Sequence, residues 1–212
     1  GNKQADINTI EHLMSALNIL EIDNLLIEID ANEPPITDGS AEVFYQLFQQ
    51  AGVIEQEDKK VIHRIDEAIH VRQGEQYLLV LPDDKFKISY TFVSNHPSLE
   101  DQFVEFILAE DDYQKWIAPA RTFGFAHEVD LLQRQGLALG GSLDNAVLVE
   151  EKGPINQLRF PDEFVRHKVL DLIGDMKLAP DFKGHIIAVR SGHRLNSILA
   201  KKIKAKIDMK GE

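Results

Sequence analysis

From Lys59 to Leu108 the chain is a succession of short apolar runs broken by polar turns, and this texture restricts the fold more than any other feature. Val61–Val71, Tyr77–Leu81, Phe86–Phe92 and Asp101–Leu108 read as strands, with Arg72-Gln73-Gly74 and Pro82-Asp83-Asp84 as turns between them. Helices are predicted elsewhere, over Asn8–Leu20, Ala41–Ala51, Phe125–Gln135, Asp162–Leu178 and Leu195–Ile203. Further strands are expected over Asn24–Asp30, Asn145–Glu150 and Ile186–Val189. Strand runs grouped apart from helices predict α+β layers, in preference to a doubly wound parallel sheet. The charged stretch Glu55–Lys60 marks a domain boundary, giving units 1–56 and 57–204 followed by a basic tail or linker over 205–212.

Composition excludes several classes. The 212-residue chain has a formal net charge of −12, which opposes the basic field that nucleic acid or an anionic membrane surface would require. No run of about 18 apolar residues is present, so no transmembrane helix is expected, and no secretory leader is visible. There is no cysteine, so a zinc site would have to use histidine and carboxylate ligands. These features suit a cytoplasmic protein. Lys201, Lys202, Lys204, Lys206 and Lys210 read as the cationic end of a helix and its solvated tail.

Three motifs are candidates for chemistry. In the predicted helix Asp162–Leu178, His167 and Asp171 are four residues apart and share a face, with Asp175 one turn further on. An imidazole and a carboxylate at that spacing can reach one divalent ion, although a salt-bridged surface face has the same pattern. In Thr9-Ile10-Glu11-His12-Leu13, a carboxylate and an imidazole adjoin at the start of a helix; the same residues also make an ordinary capping turn. Ser191-Gly192-His193 follows an apolar strand and places a histidine at a strand end. A phosphate-binding glycine loop is excluded, because Ala120–Phe125 and Gly136–Ser142 contain neither Gly-x-Gly-x-x-Gly nor Gly-Lys-Ser/Thr.

Taken in order along the chain, these segments resemble one family, the zinc-dependent UDP-3-O-acyl-N-acetylglucosamine deacetylases of lipid A biosynthesis. The matching pieces are Thr9–Leu13, Asp38-Gly39-Ser40, Asn95-His96-Pro97, Ala120–Phe125, Gly140-Gly141-Ser142, Phe164–Lys168 with Asp171 and Gly174-Asp175, and Ser191-Gly192-His193 with Asn196. The resemblance implies His12, His167 and Asp171 as zinc ligands and Glu11 as general base. It implies His193 as the acid or electrostatic partner, oriented by Asp175, and Thr122 as the hydroxyl donor to the reacting oxygen. Lys168 and Phe123 become substrate contacts, with Phe123 and residues 131–148 along an acyl-chain passage. The implied substrate is a UDP-linked acylated amino sugar, hydrolysed at its acetamide.

Two departures qualify this expectation. In the family a run of strands precedes the Glu11-His12 pair, so residues 1–56 are expected to be only the C-terminal part of a first domain, its sheet edge at Asn24–Asp30 uncovered. The position before Asn95-His96-Pro97, often aromatic in the family, is Ser94, so base stacking is not expected there. Some relatives are fused to a downstream dehydratase, and Lys201–Glu212 would then begin a linker. The competing function is a truncated fragment that binds metal or a partner without turnover. A peptide-cleaving metalloprotease is disfavoured, because His-Glu-x-x-His is absent.

Overall fold

The computed structural model describes residues 6–108, 110–129 and 140–210. In chain order the elements are α1 (Glu11–Ile19), α2 (Glu42–Ala51), β1 (His63–Arg64), β2 (Ile69–Gln73), β3 (Gln76–Leu81), β4 (Phe86–Phe92) and β5 (Gln102–Ile107). They continue with α3 (Tyr113–Trp116), β6 (Phe123–Phe125), β7 (Val147–Glu150), β8 (Gly153–Pro154), α4 (Glu163–Met176), β9 (Phe182–Val189) and α5 (His193–Lys210). The α+β expectation holds. The main sheet runs β2-β3-β9-β4-β5, and every pairing on that path is antiparallel except β9 with β4. β1 adds a short parallel pairing to the start of β9.

β9 is the last strand in the sequence and occupies the middle of the sheet. Its burial alternates along its length, and Phe182, Ile186 and Ala188 point into the core. That face meets α4 and α5 through Val165, Val169, Leu172, Leu199 and Ile203. A second apolar cluster, Leu13, Ala16, Leu17 and Phe44, joins α1 to α2. α1 in turn lies against α4. Helix α4 is therefore enclosed between the sheet and α1, and its residues from Val169 to Gly174 are all buried. The face carrying His167 and Asp171 is interior, not a solvated surface.

A smaller sheet, β6-β7-β8, sits beside this body, with β6 parallel to β7. It encloses an aromatic cluster of Phe164, Phe123, Phe125 and Phe92 together with Val147 and Val149. Lys60 and Lys177 each pair with Asp23 and Asp181, which ties the turn after α1 to the 57–62 segment and to the end of α4.

Several element boundaries differ from the sequence reading. Val61–Val71 is two strands, interrupted at 65–68. The β9 strand begins at Phe182, ahead of the predicted Ile186, and α5 runs from His193 to Lys210, so residues 205–210 are its last turns. Residues 126–129 are helical, while the rest of the predicted Phe125–Gln135 helix falls largely outside the described residues. The predicted Asn24–Asp30 strand does not form. That segment pairs with no strand among the described residues, and Leu26 is 83% exposed. An extended run becomes a strand only when a partner takes its backbone groups, and among the described residues none does. Leu26→Ser is accordingly expected to change unfolding free energy by less than ~0.5 kcal/mol in urea denaturation, against ~2–5 kcal/mol for truncating a packed core leucine.

Candidate metal centre and active site

The site is assembled where α1, α4 and the start of α5 meet. α1 approaches α4 closely because Gly174 has no side chain. A Cβ at Gly174 would lie 2.0 Å from the Glu11 carbonyl oxygen. The Asn18 side-chain amide also donates to the Ile173 carbonyl at 2.8 Å. These contacts bring His12, one residue into α1, against the His167/Asp171 face of α4. The chain enters α1 through Thr9 at φ 54°, a left-handed conformation that a β-branched residue rarely adopts.

His12 Nε2 lies 3.8 Å from Asp171 Oδ1, and His167 Nε2 lies 3.3 Å from the same oxygen. The two imidazole rings meet edge-on, with centroids 5.0 Å apart. His12, His167 and Asp171 are all buried. His167 Nδ1 is 3.0 Å from the Ala120 carbonyl, an acceptor only, so Nδ1 carries the proton and Nε2 presents a lone pair. Burial pushes the His167 pKa down to about 3, so the ring is neutral at ordinary pH. Asp171 is also buried, which opposes ionisation. Its neighbours His167 and Lys168 outweigh that effect and hold its carboxyl well below the usual carboxylate range.

The two carboxylate oxygens of Asp171 have different surroundings. Oδ2 accepts a hydrogen bond from Lys168 Nζ at 2.9 Å. Oδ1 is buried and has no hydrogen-bond partner. A buried ionised oxygen facing an imidazole lone pair at 3.3 Å would be costly in a protein interior unless a cation joined them. The three side chains offer ligand atoms that all lie within 4.8 Å of one another. Two imidazoles and one carboxylate suit a divalent ion such as zinc, and three protein ligands leave a coordination position open.

Glu11 and His193 border this trio. His193 Nε2 is 3.8 Å from Glu11 Oε1 and 3.8 Å from Asp171 Oδ2. His193 Nδ1 donates to Asp175 Oδ2 at 2.9 Å. That hydrogen bond raises the His193 pKa, against the opposing effect of burial; the negative charges of Asp171, Asp175 and Glu11 add to it, and the result is about 9. The Asp175 carboxylate is itself held. Asn196 Nδ2 donates to it at 2.8 Å, Ser191 Oγ donates to Asn196 Oδ1 at 2.7 Å, and Tyr90 OH donates to the Ser191 carbonyl at 2.6 Å. Arg190, just before this turn, is at φ 53°.

On the other side, Lys168 Nζ lies 5.2 Å from the Phe123 ring centroid, and that ring is 6.1 Å from the His167 ring. The Thr122 backbone N–H donates to the Gly39 carbonyl at 2.7 Å, and its own carbonyl accepts from Val147 N–H. Gly39 permits this because it is at φ 80°, and a Cβ there would lie 1.6 Å from the Asn145 carbonyl oxygen. Asp38 next to it accepts from Arg159 and Ser40, whose hydrogen bonds outweigh the effect of burial and lower its pKa. Among the described residues the Thr122 hydroxyl makes no hydrogen bond.

Of the predicted residues, His12, His167, Asp171, Glu11, His193, Asp175, Lys168 and Phe123 converge on one locality. Thr122 lies two residues beyond the Ala120 carbonyl that holds His167. Half of the 131–148 passage, residues 131–139, lies outside the described residues. Sequence reasoning missed the Ala120 carbonyl, the supporting roles of Ser191, Asn196 and Tyr90, and the close approach at Gly174. Asn196 and Gly174 stand within the recognised motifs, whereas a backbone acceptor has no side-chain signature.

Two measurements follow from this geometry. In the metal-free protein, Asp175→Asn is expected to bring the His193 titration, followed by NMR, down from about 9 toward its ordinary 6.5. Because the folded pKa is raised, His193 protonation contributes stability that is complete below about 6.5 and lost as pH rises through about 9. An unmoved titration would show that Asp175 does not control this ring. Gly174→Ala is expected to lose roughly 1–3 kcal/mol of stability, as overpacking does. It should also weaken divalent-metal binding in calorimetric titration far more than Gly192→Ala, whose added Cβ meets nothing within 4 Å.

Comparison with known proteins supplies independent information. Residues 2–205 match the family model described as LpxC, UDP-3-O-acyl N-acetylglycosamine deacetylase. A UDP-3-O-acyl-N-acetylglucosamine deacetylase of Syntrophus aciditrophicus (strain SB) is 44% identical over 204 residues, covering 95% of this chain and 65% of that protein. The protein of the same name from Chlamydia abortus (strain DSM 27085 / S26/3) is 45% identical over 201 residues, covering 93% and 72%. That from Myxococcus xanthus (strain DK1622) is 44% identical over 206 residues, covering 96% and 66%. The chain thus spans about two thirds of the length of the curated relatives it matches.

Proposed function

The chain belongs to the UDP-3-O-acyl N-acetylglycosamine deacetylase family, and from that premise we propose that it carries the catalytic site of a zinc-dependent hydrolase of lipid A biosynthesis acting in the cytoplasm. The substrate is UDP-3-O-acyl-N-acetylglucosamine, and the products are acetate and the free sugar amine. Residues 1–56 are read as the C-terminal part of a first domain and 57–204 as a second. The observation that carries the reading is the unpartnered, buried Asp171 Oδ1 facing His12 Nε2 and His167 Nε2. Among the described residues no helix is long and apolar enough to cross a membrane.

His12, His167 and Asp171 would hold the zinc. When bound, the ion supplies Lewis acidity toward the acetamide carbonyl and makes water nucleophilic near neutral pH. Glu11 accepts the proton of the attacking water as its oxygen bonds to the amide carbon. The Thr122 hydroxyl donates to the carbonyl oxygen as negative charge develops there, where preorganised donors contribute most. His193 is protonated at neutral pH and oriented by Asp175. It gives its proton to the amine nitrogen as the carbon–nitrogen bond breaks. Lys168 is fixed by Asp171 and meets the polar part of the substrate, while Phe123 borders the path of the acyl chain.

The roles separate by mutation. Glu11→Ala should lower deacetylation of the UDP-linked acylated sugar by about 10²–10⁴-fold while zinc stays bound, since it acts as base and not as ligand. Asp171→Ala should lose both zinc, read by elemental analysis, and turnover. The reverse pattern would refute the assignment. Stoichiometric zinc without turnover in the unaltered chain would instead favour the competing reading, a fragment that binds metal without turnover; the chain covers 65% of the Syntrophus relative.

A further inference from the structure

We infer that Glu163 is a positioning residue for the metal centre, fixing the 120–122 peptide so that the Ala120 carbonyl holds the His167 ring by its Nδ1–H. The inference rests on the metal-centre reading above. Glu163 lies in the first turn of α4, one turn before His167 and on the same helical face. It is 0% exposed, yet both carboxylate oxygens are fully used. Oε1 accepts from Arg121 backbone N at 3.0 Å and from Arg121 Nε at 2.9 Å. Oε2 accepts from Arg159 backbone N at 2.6 Å and from an Arg121 terminal guanidinium nitrogen at 3.3 Å. The guanidinium also donates to the Gln157 carbonyl at 2.7 Å.

The alternative is that this is simply a buried ion pair within the fold. Two observations argue for more. A buried pair is weak as a stabiliser, and an apolar pair of similar volume often does as well. What an apolar pair cannot do is accept the Arg121 backbone N–H, the central donor of the peptide whose flanks hold the site. On one flank the Ala120 carbonyl takes the His167 Nδ1–H at 3.0 Å. On the other, Thr122 N–H reaches the Gly39 carbonyl at 2.7 Å. Glu163 and His167 therefore grip the same stretch of chain from one helix, and the distance between them is set by a single helical turn. A carboxamide in place of the carboxylate would turn an N–H group toward the Arg121 or Arg159 donors, and one side of the clamp would open.

The test uses the full chain carrying Glu163→Gln, and beside it the double variant Glu163→Leu/Arg121→Leu, which removes the buried charges while preserving an apolar filling. In the metal-free protein at neutral pH, long-range ¹H–¹⁵N NMR reads the His167 tautomer. The unaltered chain is expected to show the Nδ1–H form, and both variants a mixture containing Nε2–H. Zinc affinity, read by competition with a chelator, should fall about 10–100-fold in each, the range typical of disrupting a group that orients a metal ligand. Should Glu163→Gln not fold, the double variant alone decides. An unchanged tautomer in the folded variants overturns the inference, whatever happens to zinc affinity. Failure of the unaltered chain to bind zinc would overturn the metal-centre reading instead, while the tautomer would still report on positioning.

Discussion

The close contact of α1 and α4 at Gly174 is the constraint on which the rest of the site depends. His12 and Glu11 are adjacent at the start of one helix, and His167 and Asp171 lie a turn apart on the other. Neither helix holds the full set. Only backbone-to-backbone approach lets the short α1 deliver both of its groups to α4, and the 2.0 Å that a Gly174 Cβ would leave to the Glu11 carbonyl allows no side chain between them. The enclosure of α4 between α1 and the sheet then removes water from Asp171 and His167. Burial is what keeps His167 neutral, and a neutral imidazole is the form that can ligate a metal.

Helix α4 acts as a ruler for everything else. Glu163, His167, Asp171 and Asp175 recur every four residues along it. The first grips the 120–122 peptide, the next two face His12, and the last orients His193. One regular element therefore sets the spacing of four residues that serve three separate tasks, which loops could do only with less precision.

That periodicity explains how much could be read beforehand. The His167/Asp171 pair was legible from spacing, and the strand-rich middle of the chain from composition and turns. His12, Glu11 and His193 joined the site only through family resemblance, because no local pattern can say that residues 11 and 193 are neighbours. Glu163 was in plain view as an acidic residue at a helix start, where a solvated carboxylate is the ordinary reading. Its role depends on Arg121, forty-two residues away, and on a backbone N–H. The Asn24–Asp30 run failed in the opposite sense. Its apolar alternation is a strand pattern, but pairing is a property of two segments and only one is described. Backbone strain was also invisible: Thr9, Thr37 and Arg190 adopt left-handed φ beside Glu11, Asp38 and Ser191, and nothing in these residue types announces it.

The central position of β9 has a consequence for how the molecule comes into being. β3 and β4 follow each other closely in the chain yet are not partners; β9, about a hundred residues later, fills the gap between them. On a ribosome both strands emerge with an unsatisfied edge and wait several seconds, at roughly 5–20 residues per second, for the strand that joins them. α5 follows β9 directly and starts with His193. The side of the site that carries His193 is therefore completed only after the sheet has closed, and a nascent chain stalled before residue 182 would expose two sticky edges and leave His12, His167 and Asp171 without their His193 neighbour.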